Sequence, residues 1–429
     1  MSVVQVIFIL IVFFGGIALM MTKKMSAVLA LPLIGILVAA ISGVPFLTTT
    51  AKDGQTICGF VIGQGSIKLA STIVITMFGA VFAKVIEKQG IAETIIRKAA
   101  ELAGDKPLAM AFVLTAATVV IFIGMSGAGP VIMVCTIAIP LLLAAGVAPV
   151  VSASLILMGL TIGLMINVSQ YQMYIDTLGM TMEQVKYMGV VLAVIGAVFT
   201  SVYILIKVKK RPVRSSWAMP ADEGAGNKKH VNTVALFTPI LPMILVFFFR
   251  MDALTSLIIA IIFTVLITTP KKSLSVITGC FVDGIKEVAM VVALMIGIGI
   301  LLNGVTATAT TALIQPLVKT IIPQTAVGYV LLFAILSPLA LYRGPLNMYG
   351  LGSGLATIML ASGSMNPFSV GMALRCNTFV QCTSDPTNTQ NVICADFAHV
   401  DVNDILKSTL PFTMLMCFAG LVYSAIFIF

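Results

Sequence analysis

Long apolar runs separated by short polar breaks set the rhythm of the chain. Runs of about 17 to 22 residues, each able to cross roughly 30 Å of hydrocarbon as a helix, recur from Val3 to Phe429. In the first half, spans are predicted at Val3 to Met21, Met25 to Ile41 and Leu69 to Ile86. Between Ile91 and Leu102, Ile91, Ile95, Ile96 and Leu102 alternate with Glu93, Arg97, Lys98 and Glu101 at helical spacing. That pattern predicts an amphipathic helix lying along the membrane interface. Two apolar arms then flank a Gly/Pro tip at Gly124 to Pro130, ending at the turn Ala148-Pro149. A helix from Val150 is interrupted at Asn167 to Gln170 and resumes toward Met180, and a last span covers Val185 to Ile206.

The second half repeats the plan. Spans at Val234 to Phe249, Leu254 to Thr269 and Val288 to Leu302 precede a mildly amphipathic stretch from Thr308 to Ile322. A second pair of apolar arms, Val327 to Ala361, has its tip at Tyr342 to Pro345, and the helix after Pro367 breaks at Ser384 to Gln390. A final span covers Thr409 to Phe429. The breaks match in position: Asn167 lies eighteen residues after Pro149 (167 − 149), and Asp385 eighteen after Pro367 (385 − 367). Two halves with matched interruptions mark a transporter repeat. Five crossings and one hairpin per half, an odd number, would invert the second half; two full crossings in place of the hairpin give the same parity.

The expected fold is therefore an all-α polytopic membrane protein of two inverted repeats, each with about five spanning helices, one broken in mid-membrane, and one re-entrant hairpin. The first repeat is residues 1–206, the linker 207–231 and the second repeat 232–429.

Composition agrees: 59% of the 429 residues are hydrophobic and only 10% charged, with no stretch left for a soluble catalytic domain. The first run lacks a preceding basic residue and leads directly into another apolar run, so it reads as a retained helix, not a cleaved signal. The net charge of +9 could suggest nucleic acid, but the basic residues collect in short loops: Lys23 and Lys24, Lys84 to Lys106, Lys207 to Lys229, Lys271 and Lys272. This positive-inside pattern places the linker in the cytoplasm and the amino terminus outside a cytoplasmic (inner) membrane. The seven cysteines show no zinc spacing and read as buried apolar residues. With two histidines, a His-rich metal site is excluded, and no GxSxG, HExxH or Walker loop is present.

Broken helices leave backbone N–H and C=O groups that survive in lipid only around protein or a water-filled cavity, so the four breaks are expected to meet at a site. A helix restarting there presents its positive end to an anion, while carbonyls and hydroxyls suit a cation. Ser126, Asn167, Ser169, Gln170, Ser384, Thr387, Asn388 and Thr389 offer such groups. Three ionisable residues fall inside the second-half membrane pattern: Arg343 at the tip, Arg375, and Asp385 in the break. Arg343 is the candidate clamp for a carboxylate. Asp385 either binds a proton or cation, or pairs with Arg375 in a structural role. Asp176 reads as a water-exposed helix end, and Asp396, His399, Asp401, Asp404 and Lys407 as a solvated charge run.

The layout resembles the ion transporter superfamily, which includes gluconate permeases, C4-dicarboxylate carriers, citrate carriers and divalent anion/sodium symporters. The likeness spans nearly the whole chain and is closest to gluconate permeases from Phe78 to Lys84, through Gly90 and Ala92, to the Gly129-Pro130 hairpin. The Ser-Asn-Thr signature of the divalent anion symporters is absent from both tips. The resemblance implies an elevator carrier, commonly a homodimer, with scaffold helices at 1–106 and 232–324 and transport segments at 107–181 and 325–400. It implies a substrate site drawing on Ser126, Gly127, Gly129, Asn167, Ser169, Arg343, Gly344, Asn347, Thr387 and Asn388, with Asp385, Ser384 and Asn167 at the coupling ion or proton. The function expected is symport of a small gluconate-, dicarboxylate- or citrate-like anion driven by H+ or Na+, with no cofactor beyond Na+, no nucleic-acid partner and no enzymatic activity. A Na+/H+ or substrate/H+ antiporter on the same fold is the alternative.

Overall fold

The computed structural model describes residues 2–22, 24–47, 54–104, 106–208, 231–361, 363 and 365–429, and among them the chain is all helical. Most of the expected linker, residues 209–230, lies outside the described residues. Each half contributes nine α-helices of eight residues or more, in matching order. In the first half these are α1 (Ser2–Met21), α2 (Ala27–Ile41), α3 (Ala70–Lys88), α4 (Ile91–Ala103), α5 (Pro107–Gly124), α6 (Ala128–Ala144), α7 (Pro149–Ile166), α8 (Tyr171–Leu178) and α9 (Met182–Lys207). In the second they are α10 (Leu241–Phe248), α11 (Ala253–Thr268), α12 (Ser273–Thr306), α13 (Thr308–Ile321), α14 (Ala326–Leu336), α15 (Leu351–Ala361), α16 (Pro367–Ser384), α17 (Thr389–Phe397) and α18 (Val402–Phe427).

Local chemistry explains the boundaries. Proline opens α5, α7 and α16, where its missing N–H costs nothing and its fixed φ suits the first turn. Thr181 and Gln184 form a reciprocal capping box on α9, while Asp252 and Asp401 cap α11 and α18. Among the described residues, seven helical segments are long and apolar enough to cross a membrane. Apolar side chains also face outward, as with Val194, Val198 and Leu205 on α9, which suits lipid as the surrounding solvent. The chain is thus a multi-pass membrane protein.

The structure departs from the sequence expectations in five spans: the expected Val234 to Phe249 span opens with a 3-10 segment, Thr233–Ile240, and the last span begins at Val402, not Thr409. The third span begins earlier than Leu69, because a π-helical segment, Ile57–Gln64, and a short turn, Gly65–Ile67, precede α3. The α12 helix begins at Ser273, not Val288, and its 34 residues extend about 51 Å. Two of its carboxylates, Asp283 and Glu287, are matched in space by Lys88 and Lys84 of α3. In the second hairpin the irregular tip is longer than Tyr342 to Pro345, with a 3-10 segment from Ser337 to Arg343 and turns continuing to Gly350.

The halves interlock rather than standing apart: α12 packs on α2 and α3, α16 packs on α18 and α7. Small residues allow the close approaches. An added Cβ on Gly35 would lie 2.7 Å from Leu301 Cα, and one on Gly284 would lie 2.8 Å from the backbone nitrogen of Val81. In lipid, where apolar burial gives helices no preference for one another, such close packing holds a bundle together. The two broken helices, α7 and α16, are buried over nearly their whole length and form the centre of the molecule.

Candidate functional site

All four interruptions converge on one cavity of about 260 Å³. Ser126 and Gly127 reach it from the first tip, Gln170 from the first break, Asn347 and Tyr349 from the second tip, and Asp385, Asn388 and Gln390 from the second break. Its remaining wall is formed by Thr76 of α3, Val288, Val291, Leu294 and Met295 of α12, Leu164 of α7, and Gln381 and Cys382 of α16. The Tyr349 hydroxyl donates to Gln170 Oε1 at 2.5 Å, tying the second tip to the first break.

The two breaks are built alike but differ in charge. After α7, Asn167 is 2% exposed, and its Oδ1 accepts from the Ser169 amide at 2.9 Å and hydroxyl at 2.6 Å. Its Nδ2 donates to the carbonyls of Phe122 and Met125 at 2.9 and 3.0 Å, sealing the break against the end of α5. After α16, Asp385 is 1% exposed, and its Oδ1 accepts from the Thr387 amide at 2.9 Å and hydroxyl at 2.7 Å. Both of those bonds end on Oδ1, so Oδ2 is the atom left for a ligand. Where the first repeat has an amide that donates, the second has a carboxylate that cannot.

Removing the amide measures the first joint. Asn167→Ala strips two buried carbonyls of their donor, and each unsatisfied group costs about 1–3 kcal/mol. We expect a loss of roughly 2–4 kcal/mol in detergent-solubilised thermal unfolding, with Asn167→Asp also destabilised because a carboxylate would face those carbonyls.

Arg375 lies behind the cavity wall. It is 2% exposed on α16, donates to the Leu164 carbonyl at 2.7 Å, and its guanidinium sits 5.2 Å from the Tyr174 ring centroid. Leu164 itself lines the cavity. The pairing with Asp385 does not form: among the described residues no carboxylate lies within ion-pair distance of Arg375, and its Nε finds no acceptor. Asp385 is the C-cap of α16, ten residues beyond Arg375 on one continuous helix, so the two lie about 15 Å apart along its axis, farther than their side chains reach. The charge on Arg375 is thus balanced by dipoles and a ring, not by an ion.

The other expected site residues are distributed as follows. Gly129 belongs to the first turn of α6 and its N–H donates to Glu287 Oε1 at 2.9 Å. Ser384 turns away from the cavity, its hydroxyl 2.8 Å from Thr409 and 3.0 Å from Thr413 on α18. Gly344 is buried in the second tip, its N–H bonded to the Leu341 carbonyl at 3.0 Å. Arg343 ends the 3-10 segment, and its side chain lies outside what the structure describes. Two readings of exposed charges are corrected. Asp176 is not a free helix end but accepts from the Thr72 hydroxyl at 2.7 Å and amide at 3.1 Å, capping the start of α3. Lys84, counted among loop residues, sits within α3 and pairs with Glu87 and Glu287 at 2.7 and 2.9 Å. Sequence reasoning did not single out Tyr349, Gln381, Gln390 or Glu287; the polar spacing of Asp283, Lys286 and Glu287 in an apolar context was the one available signal for the last. No group of three or more His, Cys, Asp or Glu able to hold a metal occurs among the described residues.

A helical bundle with two interrupted central helices and two tips around a shared cavity is the architecture of a polytopic membrane transporter fold. No family model and no curated protein matches the chain. Among solved structures, the chain is similar to the Alcanivorax borkumensis YdaH transporter, whose crystal structure shows an unusual topology, at a TM-score of 0.63. The match covers 95% of this chain and 97% of that one at 13% sequence identity, a likeness of fold.

Proposed function

We propose that this protein is a secondary active transporter that couples a cation, H+ or Na+, to the movement of a small organic acid anion. The observation that carries the reading is the meeting of all four interruptions at one cavity. Its volume of about 260 Å³ falls just below the range of small-molecule sites, generally ~300–1,000 Å³, which favours a ligand of few heavy atoms. Buried Arg375, one helix backbone away and without an ion partner, favours negative charge in the cavity. Polar groups of Ser126, Gln170, Asn347, Asn388 and Gln390 offer donors for carboxylate and hydroxyl oxygens.

Asp385 supplies the coupling. The first repeat closes its break with the Asn167 amide, whereas the second leaves Oδ2 of a carboxylate, so a proton or metal cation is needed to complete the equivalent joint. Anion and cation bound together cancel much of the charge that must traverse a low-dielectric region. On this reading Ser384, Asn167, Gly129 and Ser169 shape the breaks around the ligands, and Arg343 adds positive charge at the second tip. The scaffold comprises 1–106 and 232–324, the moving part 107–181 and 325–400, with inverted repeats, an elevator movement, a homodimeric assembly and a cytoplasmic linker as in the ion transporter superfamily. Only a difference in ligand affinity between two states can drive such a switch.

Binding tests this without transport. Succinate, citrate and gluconate should be screened for a rise in melting temperature with and without Na+ and across pH. At a hundredfold excess over the dissociation constant, a ligand adds about 2.7 kcal/mol of stability. A rise for one carboxylate that grows with Na+ or with acidification supports the reading; Na+ and pH effects without any carboxylate effect would favour a cation/proton antiporter.

A further inference from the structure

Glu287 is a carboxylate beside the cavity that no part of the proposed coupling uses. It projects from α12 onto the first turn of α6, where Oε1 accepts the Gly129 N–H at 2.9 Å and Oε2 lies 2.9 Å from Lys84 Nζ on α3. Lys84 is shared with Glu87 at 2.7 Å, and both Lys84 and Glu287 are partly buried. The start of a helix carries unpaired N–H groups and partial positive charge, so a carboxylate is stabilised there. Glycine makes the fit possible: an added Cβ on Gly127 would lie 2.8 Å from Glu287 Oε1, and one on Gly129 would lie 3.0 Å from Lys84 Nζ. Gly127 also has φ 109, a left-handed conformation that a side chain would strain.

The contact stands at the edge of the cavity. Ser126 and Gly127 line it on the hairpin side, and Val288 and Val291 line it on the α12 side. One carboxylate therefore bridges the first hairpin tip to α3 and α12 beside the place where a ligand would sit.

We propose that Glu287 is a built-in counter-anion that clasps the hairpin while the cavity is empty. An anion entering beside Ser126 and Gly127 repels this carboxylate and competes for its donors, leaving Glu287 on Lys84 and the hairpin free of α12. This inference rests on the carrier reading and adds a consequence: the empty protein reorients slowly, so exchange of internal for external anion outpaces net efflux. Glu287 acts here as a positioning residue, through the hairpin, and not as a ligand of the substrate.

Two measurements test it. In proteoliposomes loaded with whichever of succinate, citrate or gluconate the wild type carries, the ratio of exchange to net efflux should fall about fivefold or more in Glu287→Gln, a coupling of ordinary size. An unchanged ratio in a folded variant overturns the proposal. Independently of transport, hydrogen–deuterium exchange in detergent should run about tenfold faster in Glu287→Gln across residues 125–131, because a charge-assisted bond has been weakened, while the remainder of α6 stays protected. Equal exchange in the two proteins overturns the clasp even if no carboxylate is carried. If none is carried but the local exchange rises, the clasp stands and the carrier reading fails.

Discussion

Asp385→Asn is expected to abolish cation-driven uptake while leaving the protein folded. The fold should survive because Asn167 already shows an amide in the same position of the other repeat: its Oδ1 accepts the amide and hydroxyl two residues ahead, as Asp385 does from Thr387. An Asn at 385 keeps those bonds and places an amide where Oδ2 was. It removes the only carboxylate lining the cavity among the described residues. Losing a buried charge that holds a cation costs about 3 kcal/mol or more, a factor of roughly 100 in rate or affinity. Uptake driven by an imposed gradient should fall at least that far, and the melting temperature in detergent should stay near the wild-type value. Uptake within a few-fold of wild type would remove Asp385 from the coupling.

Arg375→Met should separate stability from function in the opposite sense. Burying a guanidinium without a carboxylate costs several kcal/mol, while one bond to the Leu164 carbonyl and the stack on Tyr174 return about 1.5–3 and 1–2 kcal/mol. These terms nearly cancel, and methionine fills the space flexibly. We expect a melting temperature unchanged or raised. Anion affinity should nevertheless fall: a unit charge one helix width away, roughly 8 Å, is worth about 2 kcal/mol at an effective dielectric of 20, or about 30-fold. A destabilised variant that binds anions normally would make Arg375 a structural residue and leave the anion preference of the cavity without its main source.

The central breaks were legible because few signals can interrupt a buried apolar helix. Proline at 149 and 367 opens each one, and a polar residue eighteen positions on ends it, so α7 and α16 come out equal in length, 18 residues each. The hairpin arms and α4 were equally plain from Gly/Pro tips and from helical alternation of charge. Pairing across the fold was not legible. Asp283 and Glu287 drew no notice because Lys88 and Lys84, which meet them, are about 200 positions earlier in the chain. For the same reason Lys84 was read as solvated, and Tyr349 could not be matched to Gln170. The supposed Arg375–Asp385 pair failed because ten residues of continuous helix carry Asp385, the C-cap of α16, about 15 Å along the axis from Arg375. The start of the third span at Ile57 was hidden by Gly59, Gly63 and Gly65, which weaken the helical signal while allowing a π-helical turn.

The most direct test of the account is uptake of labelled succinate, citrate, gluconate and lactate into proteoliposomes under separately imposed Na+ and H+ gradients, with Asp385→Asn and Arg375→Met alongside the wild type. The account predicts accumulation of one small carboxylate driven by one of the two gradients, lost in Asp385→Asn and needing about 30-fold more substrate in Arg375→Met. Exchange of Na+ for protons with no carboxylate moving under either gradient would contradict it and establish the protein as a cation antiporter.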